Sequence, residues 1–552
     1  MSKIYIFDKY TVNKYNINND DYVYLLNPSS EIDQNINIIN NSKIINDLAL
    51  RLKNNYIDFI NSINQFFLKE NIIYDKTISM FFFSDLFNKR TEKFDTYVSI
   101  CHILFLKEFI DKNKHINRII TIGCRHEFNS SLSSLIDDIK ISRKKEKNNN
   151  FKYIKLYILQ FSFCIKSILK LILIKVFYKS KNLSNMKNIF LTRYPLHFDK
   201  NFLEEKYADF VGEGDNYMIS LITDGMHQNL NFFNTYKSLK ILDKKNNVLL
   251  LDSYLSFFDF IKGFINDLIL KFRIKKIFKE KFIFKNIDVS EYIYLELLIS
   301  FSRIPRLLCY KNAIIQSLTN HSPEKFVFYL HEYSYGRYFN YILSKYFSSI
   351  ERVGFQHGPA SKRKLLYYIG NNMVSNINED WLLKTPIPNK ILSEDELSMK
   401  IYKDSGYENV EIMKKIYRLN YLKNIKRNKI EKKSILIVPG LHDGLFLIDK
   451  ISNYIKKKSD NNFILKPHPR SSIFKNGLPK KYQYKNIKIE EDHVSKYLSI
   501  VSKVIATYSS VGIEAYMLNI PVTVVMLPNK INESPLLDIY ESGKSNLIDI
   551  IW

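Results

Sequence analysis

Short apolar runs alternate along this chain with polar segments of helical spacing. The runs at 3–7, 22–26, 118–122, 188–192, 218–222, 325–330 and 353–355 are rich in Ile, Val, Phe and Tyr, and each is predicted to be a buried strand. Positions 44–69 and 338–347 carry apolar residues every three or four places and are predicted helices. The alternation resumes at 434–438 and continues through 463–465, 487–489, 504–506 and 522–526, with helical spacing between. After Ser510 the positions Val511, Ile513, Ala515 and Leu518 fit a helix. Strands alternating with helices predict parallel, doubly wound sheets. Between the two series lie a helical pattern at 393–404, the pair Gly406-Tyr407 and a basic run at 426–433. The expected class is therefore α/β, with two Rossmann-like domains facing a central cleft. Residues 1–390 form the first, 391–433 the crossover and linker, and 434–552 the second.

At 552 residues the chain exceeds one ordinary core, which agrees with more than one domain. Its net charge of +26 calls for an anionic partner: a nucleotide, an acidic glycan, a membrane surface or a nucleic acid. No zinc-finger, homeodomain or RNA-recognition pattern is visible, so no nucleic acid partner is expected. Cys101, Cys124, Cys164 and Cys309 lie far apart without metal-ligand spacing and read as free thiols in a reducing compartment.

The opening MSKIYIFDKY reads as a strand rather than a secretion signal, and no run of 18 uncharged apolar residues predicts a spanning helix. Two helical insertions, about 151–180 and 255–283, come near that limit. In the first, Lys152, Lys155, Lys166 and Lys170 fall on one side of a helix that is otherwise Leu, Ile, Phe and Tyr. That pattern suits an interfacial helix on an anionic bilayer, and equally a lysine-edged core helix.

The candidate chemistry collects where predicted strands end. The strand at 463–465 runs into Lys466-Pro467-His468-Pro469-Arg470, and the strand at 504–506 into Thr507-Tyr508-Ser509-Ser510. In an open α/β sheet, ligands sit where strand C-termini meet helix N-termini. Paired hydroxyls at a helix start, beside free N–H groups and the positive dipole end, suit phosphate or carboxylate. Ser509 and Ser510 also serve as plain N-cap residues, and the two roles are compatible. His468, fixed between two prolines and flanked by Lys466 and Arg470, suits a diphosphate; a lysine-rich surface turn would look the same. Glu514, early in the following helix, could meet a ribose hydroxyl or simply favour the dipole.

Only 15 glycines occur in the chain, so each is expected to be required by its backbone conformation. Gly354 and Gly358 bracket Phe355-Gln356-His357, and Gly440 and Gly444 bracket Leu441-His442-Asp443. His357 would project from the opposite wall of the cleft as an acid, a base or a partner of the departing phosphate, or else is a satisfied core histidine. Glu332, just past the strand at 325–330, is a candidate base for an acceptor hydroxyl, with a surface position as its rival. Asp443, and the pair Glu213 and Asp215, are weaker candidates for the same work. There is no Walker-type loop, no early GxGxxG and no HExxH or acidic metal constellation, so neither metal nor cofactor is expected.

Together KPHPR, TYSSVGIEA and the earlier GFQHGP resemble bacterial surface-carbohydrate and capsule glycosyltransferases of the GT-B fold. That grouping takes in capsular Kdo transferases, polysialyltransferases and, more distantly, CDP-glycerol glycerophosphotransferases. The resemblance covers about 324–370 and 430–530. It implies an inverting, metal-independent transfer of a sugar, a CMP-activated acidic one among the candidates, to a surface polysaccharide or lipid-linked glycan. Residues 1–390 would be the acceptor side and 434–552 the donor side. Lys466, His468, Arg470, Ser509, Ser510, Glu514, Gly440 and Asp443 would hold the nucleotide donor, with His357 and Glu332 at the reaction centre. It further implies a cytoplasmic enzyme, peripheral at the inner face of the membrane. Alternatives are a CDP-glycerol-type glycerophosphotransferase, a UDP-sugar 2-epimerase, and a non-catalytic basic scaffold binding membrane or glycan.

Overall fold

Three parallel sheets carry the chain in a computed structural model that describes all residues except 1, 9–14, 28–36, 40, 137–138, 146–149, 180–186, 223–230, 330, 376–379, 428–429, 442, 469–470 and 475–476. The first sheet contains Ser2–Phe7 (β1), Tyr22–Leu25 (β2), Asn37–Ile39 (β3), Ile116–Ile122 (β4) and Lys140–Lys144 (β5), ordered β3-β2-β1-β4-β5. The second contains Asn188–Thr192 (β6), Asn216–Ile219 (β7), Val248–Leu250 (β8), Lys325–Phe328 (β9), Glu351–Phe355 (β10), Lys390–Ser393 (β11) and Val410–Ile412 (β12), ordered β8-β7-β6-β9-β10-β11-β12. The third contains Glu431–Val438 (β13), Asn462–Leu465 (β14), Ile487–Ile489 (β15), Val501–Ala506 (β16), Val522–Val525 (β17) and Ile548–Ile551 (β18), ordered β15-β14-β13-β16-β17-β18.

Every pairing inside these sheets is parallel. In each, the chain winds outward from a central strand in one direction and then returns to wind the other way. That is the Rossmann order, and each reversal leaves a crevice at the strand C-termini: between β1 and β4, β6 and β9, and β13 and β16. The C-terminal parts of the central strands are apolar because helices cover both faces: Phe326, Val327 and Phe328 of β9, and Leu436, Ile437 and Val438 of β13, are buried.

The expected α/β class with Rossmann-like sheets is therefore found, but the chain is divided differently from the reading of its sequence. Residues 1–390 hold two sheets rather than one, because β4 pairs with β1 whereas β6 starts a new sheet. The supposed crossover at 391–433 contributes most of β11 and all of β12, which extend the second sheet past β10. The helix expected at 393–404 is confined to Glu396–Asp404, started by Asp395, whose side chain accepts from the Ser398 N–H at 2.7 Å. Strands as short as β8 and β12 carry too few residues for a periodic signal. Their place is set by the strand beside them.

Side chains tie the three units together. From the helix Ser42–Ser62, Ser42 Oγ donates to Leu527 O at 2.8 Å and Asn46 Nδ2 to Lys530 O at 3.0 Å. Asn529 Nδ2 donates to Leu25 O and Ile39 O, at the ends of β2 and β3. The two expected insertions are the helices Asn150–Phe177 and Phe257–Ile277, whose inner faces place Leu171, Ile174, Leu270 and Ile274 in the main core. Among the described residues no helix is long and apolar enough to cross a membrane. The lysine side expected on the first insertion is not uniform: Lys170 is buried on the inner face, near Asp252, while Lys166 is exposed. The side chains of Lys152 and Lys155 lie outside the described residues.

Candidate active site

The crevice between β13 and β16 is built from backbone and small polar groups. Gly440 follows β13, and its N–H donates to Thr507 Oγ1, just past β16, at 3.2 Å. A Cβ on Gly440 would stand 2.5 Å from the Tyr508 ring and 2.8 Å from Asp443 Oδ1, so only glycine lets these loops meet. The corner glycines Gly354, Gly440, Gly444 and Gly512 are thus required by close packing and not by positive φ, contrary to expectation. Ser509 caps the helix Ser510–Met517, its Oγ accepting from the Val511 N–H at 3.4 Å. Asp443 is buried beside Thr507 and Lys530, and burial pushes its carboxyl above the usual range.

Lys466 and His468 follow β14, the neighbour of β13, and both are half-buried. The Lys466 N–H continues the ladder to Ile437 O at 2.9 Å, while its Nζ donates to Glu491 O at 3.0 Å. Arg470 lies outside the described residues. Glu514 accepts from the Tyr421 hydroxyl at 2.6 Å and lies near Arg418 and His493. In this structure it ties the helix to the segment Tyr417–Asn424 rather than standing free for a ribose.

The second crevice, between β6 and β9, opens into a cavity of about 490 Å³. Arg193 and His197 reach it from beyond β6, Tyr329 and Tyr333 from beyond β9, and His357 from beyond β10. Asn88, Arg90, Arg303 and Lys206 complete much of its wall. Among the described lining residues the one acid is Asp85, which pairs with Lys93 and with Arg303 and is held below its usual pKa by those cations despite its burial. Arg90 pairs with Glu92 at 2.6 Å and lies over the Tyr333 ring at 4.9 Å. The cavity is cationic and aromatic, the chemistry of an anion-binding site.

His357 lines this cavity with a buried Nδ1 that has no hydrogen-bond partner. Burial, then Lys206 and Lys364, hold its imidazole neutral, well below the usual histidine pKa. Glu332 does not line the cavity. It is buried, accepts from the Tyr402 hydroxyl and has His331 Nε2 at 3.3 Å from its Oε1. Burial raises its pKa to about 7. Its position past β9 was legible in the sequence; its direction, into the protein, was not. The rival surface position is equally absent. Asp215 also lies away from the crevice: it precedes β7, where it accepts from the Gly212 N–H at 2.8 Å and from Asn188 Nδ2 at 2.6 Å.

Charged groups connect the two crevices. Lys364 lies near both His357 and Glu533, and Lys530 near both Glu533 and Asp443. Glu533, half-buried beyond β17, accepts from the Thr91 hydroxyl, and burial raises its pKa to about 7. On another path, Arg418 holds Glu394 through two hydrogen bonds of 2.6 and 2.7 Å and lies near both Lys206 and Glu514. Arg193 and His197 stand just past a strand and could have been found by the strand-end rule. Arg90, Arg303 and Glu533 come from segments without such a signal and are assembled only by folding.

With crevices of the second and third Rossmann-ordered sheets lined by charged groups, this is an α/β protein of Rossmann-like domains. No protein-family model matches the chain, and no curated protein matches it in sequence. Among solved structures it is similar to a UDP-GlcNAc 2-epimerase from Neisseria meningitidis bound to UDP-GlcNAc, at 11% identity and a TM-score of 0.36, over 66% of this chain and 87% of that one. It is similar to MurG of Acinetobacter baumannii at 9% identity and 0.34, over 66% and 86%. The wall teichoic acid polymerase TagF stands at 14% identity and 0.29, over 68% and 79%. At these distances no property of theirs is carried over to this chain.

Proposed function

We propose that the protein is a glycosyltransferase that moves a sugar from a nucleotide donor to an anionic glycan acceptor. The observation that carries this reading is the pairing of two unlike crevices along one strip. One offers backbone, hydroxyl and helix-start groups. The other is a cationic, aromatic cavity with an unpartnered imidazole nitrogen at its wall. The first suits the donor diphosphate or monophosphate, with Gly440 allowing close approach and Ser509, Ser510, Lys466 and His468 around it. The second suits an acceptor bearing carboxylates or phosphates, held by Arg90, Arg193, Arg303 and Lys206.

In the proposed reaction an acceptor hydroxyl attacks the anomeric carbon, and the bond from that carbon to the nucleotide phosphate breaks. The hydroxyl proton passes to a carboxylate, and the bonding electrons leave with the phosphate. Glu533 is the carboxylate assigned this role: it stands outside the cavity lining, half-buried between the two crevices, and Lys364 lies near both it and His357. Glu332, the base expected from the sequence, is enclosed away from the cavity. His357, neutral, donates or accepts a hydrogen bond at the reacting groups. Lys466, His468 and the helix start favour the leaving phosphate, and one preorganised donor of this kind is typically worth about 3 kcal/mol.

The test is a thermal-shift screen against CMP, CDP, UDP, GDP and dTDP with the double variant His468→Ala/Ser510→Ala alongside. A selective rise with one nucleotide, lost in the folded variant, is the expected result. A response to CMP favours an acidic-sugar donor, and a response to CDP favours glycerophosphate transfer. Silence across the panel, or a shift unchanged in the variant, overturns the reading.

A further inference from the structure

The helices Asn150–Phe177 and Phe257–Ile277 are each apolar on two opposite faces. In Phe257–Ile277, Phe260, Leu270, Ile274 and Ile277 are buried against the body. About half a turn round, Phe258, Ile261, Ile265, Leu268, Ile269 and Phe272 are exposed, Phe258 at 79% and Phe272 at 73%. Their spacing of three and four makes one continuous outward stripe. In Asn150–Phe177, Leu171 and Ile174 are buried, and Ile158, Phe161, Ile165, Leu169, Ile172 and Val176 form the same outward stripe. A helix with two apolar faces belongs where both are covered, and these are covered on one side only.

The helices pack on each other, and both outer stripes are exposed. Phe177 meets Tyr236 of the next helix, Phe232–Asp243, which adds exposed Phe233 with Lys237 Nζ 4.2 Å above its ring. Exposed lysines border the apolar surface: Lys166, Lys240, Lys262 and Lys275. Aromatic and aliphatic residues rimmed by lysines on helices lying side by side are the chemistry of a bilayer interface with anionic headgroups. The net charge of +26 has the matching sign.

A helix that packs on this pair also lines the cavity. The short helix Ile304–Leu308 packs on Phe257–Ile277, and its Ile304 and Leu307 line the cavity, as does exposed Leu196. Arg306 lies 3.5 Å over the Phe163 ring of the other insertion.

We propose that this two-helix surface seats the protein on an anionic lipid bilayer, with the helices in the interfacial plane and the cavity mouth beside it. The surface stands on exposure and charge alone, whatever the reaction.

The test is co-sedimentation with vesicles of phosphatidylcholine containing about a third phosphatidylglycerol, and with phosphatidylcholine alone, at physiological salt. The variants are Phe258→Asp/Phe272→Asp and Phe161→Asp/Ile165→Asp, all at exposed positions. The wild type is expected to sediment with the anionic vesicles at least tenfold more than with neutral ones. Each double variant is expected to lose that binding at least tenfold while keeping the wild-type melting temperature and any nucleotide-induced shift. Retention of nucleotide binding separates failure of this surface from failure of the transfer reading. A wild type that stays in the supernatant, or variants that bind as well as it does, overturns the proposal. So does a wild-type oligomer, unbound to vesicles, that the variants dissolve into monomers, because a second copy would then cover the face.

Discussion

Arg363 and Asp538 meet at 3.0 Å with both side chains buried, the guanidinium coming from the segment after β10 and the carboxylate from the helix Pro535–Glu541 that precedes β18. Glu541 takes the other guanidinium nitrogen at 2.6 Å, and Asp538 also accepts from the Lys362 N–H at 2.7 Å. The second and third sheets are thus joined by a desolvated ion pair rather than by apolar contact alone. Removing one partner leaves the other charge buried and unpaired. Arg363→Ala is expected to cost about 3–5 kcal/mol in urea unfolding. The joint replacement Arg363→Met/Asp538→Leu is expected to recover much of that loss, since apolar groups leave no charge to desolvate. Equal stability of the single variant and the wild type would contradict the role given to the pair.

Gly354 and His331 set a second limit. A Cβ on Gly354 would stand 3.0 Å from the His331 imidazole, which β9, β10 and Tyr402 enclose. Gly354→Ala is expected to destabilise by about 1–3 kcal/mol through overpacking. Gly358→Ala, whose Cβ would meet only the Tyr367 hydroxyl at 3.9 Å, is the neutral comparison. The two midpoints, measured in the same denaturant series, decide the point.

Glu332 makes stability depend on pH in a definite direction. Its folded pKa of about 7 lies above the ordinary 4.5, so the folded state binds its proton more tightly than the unfolded chain. That contribution is fully present below about pH 4.5 and is lost as pH rises through 7. Glu332→Gln imitates the protonated carboxyl and is expected to flatten the fall in stability between pH 5 and 8, by at most about 3 kcal/mol. Melting temperatures of both proteins across that range give the answer; parallel curves would refute the assignment.

If Glu533 takes the acceptor proton, activity should rise with pH through its pKa of about 7 as the carboxylate forms. Glu533→Gln is expected to lose about 10²–10⁴-fold in kcat with the nucleotide-induced thermal shift intact. His357, held neutral well below the usual range, should add no ionisation near pH 6.5. A wild-type profile that is flat from pH 6 to 8, or a fully active Glu533→Gln, would exclude this carboxylate as the base.

The sequence by itself determined the third sheet almost completely. The strands expected at 463–465, 487–489 and 504–506 fall within β14, β15 and β16, and the helix after Ser510 is present, because the buried stretch of a parallel strand reads as a short apolar run. It also determined that Gly440, His468, Ser509 and Ser510 stand at strand ends, since each follows its apolar run directly. It did not determine how many sheets the first 390 residues make. Strand pairing is a relation between distant segments, and β4 and β6 look alike until their neighbours are known. Nor did it determine the direction of Glu332, which differs from an exposed strand-end carboxylate only in what Tyr402 and His331 place around it. The cationic cavity, beyond the strand-end residues Arg193, His197 and His357, was decided by tertiary structure. Arg90, Arg303 and the pair Arg193 and Lys206 come from three separate segments, and no local pattern of charge marks residues that meet only when a chain closes on itself.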